Sequence, residues 1–181
     1  MNEAVIRRAA EKCGITEIGF VGAEEFSRLD IKTRSAFAKK ESMTDVFSIM
    51  PGAKSIIVYL VPYLSDKVGE NLSAYALGED YHRVCARISQ KLCALLEEEN
   101  YHARAFTDSG ELSERALALC AGLGVRGKNG FVINEKYGSY TFISYIVTDF
   151  PFKPSQAQVG ECTGCGKCIK SCPGGALGSS F

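Results

Sequence analysis

The sequence predicts an α+β fold, with one mixed or antiparallel sheet and helices packed against it. The run Ser55–Val61 is β-branched and aromatic, which is typical of a buried central strand. Apolar residues recur at helical spacing through Asp80–Asn100, which indicates an amphipathic helix. Helical and strand patterns then mix without the regular βαβ rhythm of a parallel sheet.

The elements of the first third follow in order. Asn2–Lys12 predicts a short helix, because Gly14 is a suitable residue just beyond a helix end. Ile15–Val21 alternates apolar and polar residues, which predicts a strand with one exposed face. A helix over Glu24–Lys40 and a turn over Met50–Lys54 lead into the central strand.

The second half contains further strands and one more helix. His102–Asp108 predicts a strand, and Glu111–Ala121 predicts a helix that the glycines of "GLG" end. The segments "FVIN" and "YTFISYIVTDF" predict a hairpin that turns at "EKYGS". In the long helix, the residues that mark the apolar face are Val84, Ile88, Leu92, Leu95 and Leu96.

Length and composition favour one globular domain with a short appendage. We expect a main domain over residues 1–150, then a proline-marked linker at Pro151–Gln158 within a second segment, 151–181. The 21 basic and 21 acidic residues cancel, so no global field favours nucleic acid or an anionic membrane. Without a visible signal peptide, the expected location is cytoplasmic, where clustered cysteines are more often metal ligands than disulfides.

The eight cysteines fall into two groups. Cys13, Cys85, Cys93 and Cys120 are scattered, and each is most simply a small buried hydrophobe. The other four form the run C-x2-C-x2-C-x3-C followed by proline, the spacing of bacterial ferredoxins. The predicted ligands of a 4Fe-4S cluster are Cys162, Cys165, Cys168 and Cys172.

The cysteine run supplies only part of a two-cluster ligand set. In two-cluster ferredoxins, the fourth cysteine of such a run ligates the other cluster. By that logic, Cys162, Cys165 and Cys168 hold one cluster, and Cys172 reaches toward a second. We therefore expect either that the sequence is a piece of a longer protein or that the site is completed otherwise, with incomplete cluster binding by these residues alone. A structural zinc site would more usually pair two CxxC knuckles across a longer gap.

A second constellation lies in "AFTDSGELSERALALCAGLGVRGKNGFVI". Asp108 closes a predicted strand, where it or Ser109 could simply cap the next helix. Arg115 lies within that helix. The loop "GVRGKNG" places Lys128 and Asn129 between glycines, so that the backbone can approach a flat ligand or an anion closely, although such a loop is also compatible with a purely structural turn.

The order of these motifs resembles the epoxyqueuosine reductase family, which depends on cobalamin and iron–sulfur clusters and is related to the reductive dehalogenases. The resemblance rests on "YALGEDYH", the "TDSGELSERALALCAGLGVRGKNGFVI" stretch, "YGSYTFISYIVTDFP" and the cysteine run, and covers most of the chain. It implies a nitroreductase-like catalytic domain followed by a ferredoxin-like segment, incomplete here, in which electrons pass from the clusters to cobalt.

The resemblance also implies roles for individual residues. Asp108 matches the family's proton donor, which needs a carboxyl that holds its proton near neutral pH. We expect neighbouring cations to point away from Asp108, because a positive charge favours the ionised form. The implied cofactor contacts are Tyr75, Tyr81, Arg115, Gly127, Lys128 and Asn129.

Alternative functions stay open at this point. The resemblance implies a tRNA substrate and an electron-donor protein as partners, whereas the net charge of zero does not favour tRNA. Val125 and Arg126 depart from the family's usual aromatic and aliphatic pair, which would fit a shorter paralogue that reduces another substrate. The cysteine run alone would equally suit a non-catalytic electron-transfer module of a larger redox complex.

Overall fold

The computed structural model describes residues 1–30, 43–64, 72–108, 111–157 and 160–177. Its helices are α1 (Glu3–Lys12), α2 (Ala23–Ser27), α3 (Val46–Ile49), α4 (Tyr81–Glu97), α5 (Glu114–Cys120) and α6 (Lys167–Lys170). Its strands are β1 (Ile18–Gly22), β2 (Ser55–Pro62), β3 (Ala103–Thr107), β4 (Val125–Arg126), β5 (Val132–Ile133) and β6 (Thr141–Thr148). A 3₁₀ turn at Ala74–Ala76 precedes α4.

The main sheet is antiparallel throughout, with the strand order β1-β2-β6-β3. At its centre, Val58 of β2 pairs with Gly19 on one side and with Tyr145 on the other. The short strands β4 and β5 form a separate antiparallel pair. This architecture confirms the predicted α+β class and the central position of β2.

Helices cover both faces of the main sheet. On one face, α1 and α4 pack through a cluster that includes Ile6, Phe20, Ile57, Tyr59, Leu92, Leu96 and Ile146. On the other face, α2, α3 and α5 contribute to a second cluster, which includes Phe26, Val46, Ile56, Val58, Leu60, Leu117, Tyr145 and Val147. The strands β1 and β2 are therefore buried on both sides, whereas the edge strand β3 stays partly exposed; burial of this apolar area is the main stabilising term of the fold.

Close approach of α5 to the sheet explains one glycine of β1. A Cβ atom at Gly19 would lie 2.3 Å from the carbonyl oxygen of Ala121, at the end of α5. No side chain fits at that distance, so the glycine lets the helix end pack directly on the strand. This packing fixes the position of α5, and therefore the start of the loop segment that follows the helix.

Two helices and one strand were predicted well. α1 begins after Asn2, whose side chain accepts a hydrogen bond from the N–H of Val5, and ends before Gly14, which has a φ of 81°. α4 is capped by Asp80 and buries Ile88, Leu92 and Leu96 of its predicted apolar face, with Val84 and Leu95 packed at the edge. β2 covers the whole of Ser55–Val61.

Three predictions about secondary structure were wrong. β1 was expected to have an exposed face, but all five of its residues are buried, because helices cover both sides. The helix predicted over Glu24–Lys40 ends at Ser27, and residues 31–40 of that prediction lie outside the described part of the chain. The turn of the expected hairpin forms, since Asn134 and Gly138 exchange two backbone hydrogen bonds across it. The expected strand pairing does not form, because β5 pairs with β4 whereas β6 lies between β2 and β3.

The predicted linker is held against the sheet along its first residues. The ring of Phe152 stacks on Phe20 at 4.6 Å between centroids. Ser155 exchanges two hydrogen bonds with the backbone of Phe20: its N–H donates to the carbonyl, and its Oγ accepts from the N–H. The chain therefore leaves the sheet only after residue 155. Within the described ranges, no helix is long and apolar enough to cross a bilayer.

Candidate functional site

Asp108 lies directly after β3, and its side chain is exposed. Its φ of 51° falls in the left-handed region, which aspartate adopts more readily than most non-glycine residues. Its Oδ2 accepts a hydrogen bond from the hydroxyl of Tyr81 over 2.6 Å. The two residues that the sequence assigned to catalysis and to cofactor contact are thus joined directly.

Asp108 does not cap α5, which removes the simplest structural explanation for this residue. The helix begins at Glu114, and its N-cap is Ser113, whose Oγ accepts a hydrogen bond from the N–H of Ala116 over 3.4 Å. The capping role suggested for Asp108 was therefore wrong, and the helix starts three residues later than predicted. The other suggested cap, Ser109, lies outside the described residues.

Tyr81 is the first residue of α4 and is fixed on two sides. Its ring stacks on Phe142 of β6, with centroids 4.0 Å apart and planes 9° apart. Burial and the hydrogen bond to Asp108 raise the pKa of the Tyr81 phenol well above its usual range. The phenol therefore keeps its proton at any physiological pH and acts as a hydrogen-bond donor to the carboxylate.

An open cleft of about 270 Å³ lies beside Tyr81. Its walls are largely aromatic, because Tyr63 and Tyr75 join Tyr81 and Phe142 around it. Tyr75 is 53% exposed although it is a large side chain. Aromatic faces that remain open to solvent suit a flat ligand, and the predicted contact residues Tyr75 and Tyr81 both lie here.

Glu114 is a site residue that the sequence analysis missed. Its Oε1 accepts a hydrogen bond from the backbone N–H of Asp108 over 2.6 Å, and its side chain is half-buried. Burial is the largest cause that raises the pKa of Glu114 to about 7, and the nearby charge of Asp108 acts in the same direction. In sequence, Glu114 looks like an ordinary acidic residue in the first turn of a helix, so nothing local marks it.

The raised pKa of Glu114 predicts a pH-dependent stability. The folded state binds this proton more tightly than the unfolded state, so the stabilisation is complete below about pH 4.5 and is lost as the pH rises through about 7. We expect Glu114→Gln, which cannot ionise, to flatten the decline of the unfolding free energy over that window by on the order of 1–2 kcal/mol. Urea unfolding of both proteins at pH values across the window measures the difference. Parallel curves for the two proteins would contradict the assignment.

The predicted cofactor loop forms a tight turn between β4 and β5. The N–H of Gly127 donates to the carbonyl of Phe131 over 2.8 Å, and Gly130 donates to the carbonyl of Gly127 over 2.9 Å. Asn129 Oδ1 accepts from the N–H of Phe131. A Cβ atom at Gly127 would lie 2.4 Å from Asn129 Oδ1, so a larger residue there would displace the Asn129 side chain. Lys128 occupies the tip of this turn.

Arg115, one of the cations near Asp108 in sequence, is engaged by the loop between β4 and β5. Arg115 donates from Nη1 to the carbonyl of Gly130 over 3.1 Å, which ties α5 to the loop. Within the part of the chain that the structure describes, no ion pair joins Asp108 to Arg115, Arg126 or Lys128. The carboxyl thus faces a phenol and a second acid instead of a fixed positive charge.

The cysteine segment meets the same loop. The thiol of Cys162 accepts hydrogen bonds from the backbone N–H groups of Gly164 and Lys128, which together with the Lys128 charge lower its pKa. At the other end of the segment, the pKa of Cys172 is lowered mainly by the N–H of Ala176. Both thiols are therefore biased toward the thiolate, the form that ligates iron.

The chemistry of the cysteine segment fits an iron–sulfur cluster. Backbone N–H donors to sulfur and small residues between the cysteines are what a cluster needs around it. The described residues do not, however, gather three potential metal ligands at one point. None of the described residues in 160–177 is buried, as expected for a segment whose packing depends on bound metal.

The scattered cysteines behave as predicted for small hydrophobes. Cys85 is buried, and burial raises the pKa of its thiol. Cys93 and Cys120 are partly buried, and burial likewise raises the pKa of each. Cys13, at the end of α1, is also partly buried.

The described residues also fit a corrin cofactor in part. The aromatic walls of the cleft suit a flat macrocycle, and the polar Lys128 and Asn129 at the turn suit its amide fringe. At about 270 Å³, the cleft covers only a portion of such a ligand. Tyr75 and Tyr81 line the cleft and would hold the ring, whereas Lys128, Asn129 and Asp108 are not part of the lining of the cleft.

Comparison with known proteins identifies relatives of this chain by sequence. Residues 44–109 match the family model described as "Epoxyqueuosine reductase QueG, DUF1730". The epoxyqueuosine reductase of Bacillus cereus is 36% identical over 186 residues, which cover 91% of this chain and 49% of that protein.

Solved structures agree with the sequence match. One is an epoxyqueuosine reductase with a tRNA stem loop (27% identity, TM-score 0.79, 97% of this chain, 52% of that chain). Another, from Bacillus subtilis, has its catalytic aspartate loop swung out of the active site (27% identity, TM-score 0.78, 97% and 52%). The reductive dehalogenase NpRdhA shares the fold alone (19% identity, TM-score 0.71, 97% and 25%). This chain is therefore similar to epoxyqueuosine reductases over nearly all of its length, and it spans about half the length of the curated relatives that it matches.

Proposed function

We propose that this chain is the cofactor-binding and proton-donating part of an epoxyqueuosine reductase, with Asp108 as the acid. The observation that carries the proposal is the placement of Asp108. It has no capping role, it adopts a left-handed backbone, and its carboxyl is bonded to Tyr81 beside an aromatic cleft. A carboxyl group that accepts a hydrogen bond from a residue lining a cleft is a candidate acid for chemistry in that cleft.

The chemistry gives each part of the site a task. Reduction of an epoxide consumes two electrons and two protons. Cobalamin, when bound, supplies the low-potential electrons at cobalt, and the cysteine segment would hold the clusters that feed it. The fold likeness to reductive dehalogenases, one of which is described as B12-dependent, is consistent with this cofactor.

The protein's own residues handle orientation and the proton. Tyr75 and Tyr81 offer aromatic surface to a flat ring, and the turn at Lys128 and Asn129 offers polar contacts to its edge. Asp108 delivers a proton to the substrate oxygen. Because Asp108 is exposed here, the bound cofactor and substrate must cover it to exclude water during the reaction.

The turn at Lys128 places the cluster segment next to the cofactor loop in this proposal. The N–H of Lys128 donates to Cys162, and Arg115 ties the same loop to α5, which also bears Glu114. A short route from the cysteines to the loop suits electron transfer. The electron-donor protein is the partner that this route requires.

A turnover assay tests the proposed substrate. We expect the full-length protein, reconstituted with iron, sulfide and cobalamin, to convert a tRNA stem loop that carries epoxyqueuosine when a low-potential reductant is supplied. Absence of conversion with both cofactors bound would point to another substrate, the shorter-paralogue alternative. A protein that binds iron but never cobalamin would instead be an electron-transfer module.

A further inference from the structure

Glu114 makes a contact that its position in a helix does not explain. An acid at the start of α5 would be favourable simply through the helix dipole, with its carboxylate in solvent. Instead, the side chain is half-buried and reaches back past the N-cap Ser113 to the backbone N–H of Asp108, at 2.6 Å. A half-buried carboxylate directed at one backbone amide indicates a specific function for the contact.

The backbone of Asp108 needs such a contact. Its left-handed conformation is less favourable than the ordinary α or β regions for a residue with a side chain, so it persists only where the surroundings impose it. Rotation about this backbone would swing the carboxyl away from the hydroxyl of Tyr81. Two hydrogen bonds oppose that rotation, one from Tyr81 to the side chain and one from the Asp108 amide to Glu114.

We propose that Glu114 is a positioning residue for Asp108: its side chain holds the Asp108 amide, so that the Asp108 carboxyl stays on the hydroxyl of Tyr81, a residue that lines the cleft. The catalytic meaning of this contact rests on the proposed function, in which Asp108 donates the proton. The existence of the contact does not depend on the proposed function, because it can be measured in this chain without any cofactor.

Two conservative variants separate reach from charge. Glu114→Gln keeps the length of the side chain and an oxygen acceptor but loses the charge. Glu114→Asp keeps the charge at the helix start but is one methylene shorter, so it cannot reach the amide. If Glu114 positions Asp108, the length of the side chain matters, so Glu114→Gln preserves the contact and Glu114→Asp loses it. If Glu114 only complements the helix dipole, the charge matters, so Glu114→Asp behaves like the wild type and Glu114→Gln does not.

Amide exchange at Asp108, followed by NMR on the chain itself, is the first readout. We expect Glu114→Asp to speed exchange about tenfold, since loss of one intramolecular hydrogen bond changes the opening equilibrium by up to about that factor. Glu114→Gln should stay within about threefold of the wild type. The control is Glu24→Asp, which shortens an acid in the first turn of α2 and should leave the Asp108 amide unchanged.

Turnover of the full-length reconstituted reductase is the second readout. We expect Glu114→Asp to lower kcat about tenfold with KM for the stem loop unchanged. We expect Glu114→Gln to retain most of the wild-type kcat. Unchanged Asp108 exchange in Glu114→Asp would overturn the positioning role. Altered exchange together with wild-type kcat would confirm the contact and instead count against Asp108 as the acid, so the failures of the two proposals are distinguishable.

Discussion

Asp108→Asn is expected to reduce the turnover of the full-length reconstituted reductase by about 10²–10⁴-fold, the usual contribution of a general acid. Asparagine has nearly the same size, and its side-chain oxygen can still accept the hydrogen bond from Tyr81. It cannot donate a proton as a carboxylic acid does. Single-turnover rates with the epoxyqueuosine stem loop measure the loss, and the affinity for cobalamin should stay unchanged.

The fold should tolerate this substitution. Asparagine adopts the left-handed region as readily as aspartate, and α5 takes its cap from Ser113. We therefore expect a loss of at most about 0.5–1 kcal/mol in unfolding free energy. The matched control is Asp149→Asn. Asp149 accepts a hydrogen bond from the backbone N–H of His102, which lies just before β3, at the end opposite to Asp108. This control should leave turnover unchanged. Equal turnover for Asp108→Asn and Asp149→Asn would remove Asp108 from the mechanism.

Cys165→Ala is expected to cost the full-length protein one cluster, or about four iron atoms per chain. Each cubane needs its full set of thiolates, and this exposed cysteine lies in the middle of the run. Reductive turnover should fall to background, because the electrons no longer reach the cofactor. Iron and sulfide counts after anaerobic reconstitution, with the visible spectrum of the cluster, measure the change.

The control for that variant is Cys13→Ala, which replaces a partly buried thiol at the end of α1, far along the sequence from the run. Its iron content should match that of the wild type. If Cys165→Ala retained the wild-type iron content, the run would not be a cluster ligand set. Binding of about one zinc ion in place of iron, with no visible cluster spectrum, would favour a structural metal site instead.

The sequence predicted those features that depend on residues close together along the chain. The run around Cys165 was recognisable from spacing alone, and the strand at Ser55 and the helix after Asp80 from their periodicity. Asp108 was singled out through the motif that contains it. Its surroundings could not be read in the same way, because Tyr81 comes from α4, 27 positions earlier.

What the sequence could not predict depends on long-range pairing. β6 follows β5 closely and was expected to pair with it, yet it lies between β2 and β3, because only there are both of its faces covered by helices. β1 alternates in sequence but is buried on both sides for the same reason. Glu114 was missed because its partner, the amide of Asp108, is a backbone group that leaves no mark on the sequence.

Titration of this chain with cob(II)alamin tests the central claim most directly, because the claim is that these residues form the cofactor-binding part of a reductase. The account predicts a saturable change in the visible spectrum of the corrin, with a stoichiometry of about one per chain, that needs neither tRNA nor iron. No saturable change at high micromolar protein, in a chain shown to be folded, would contradict it.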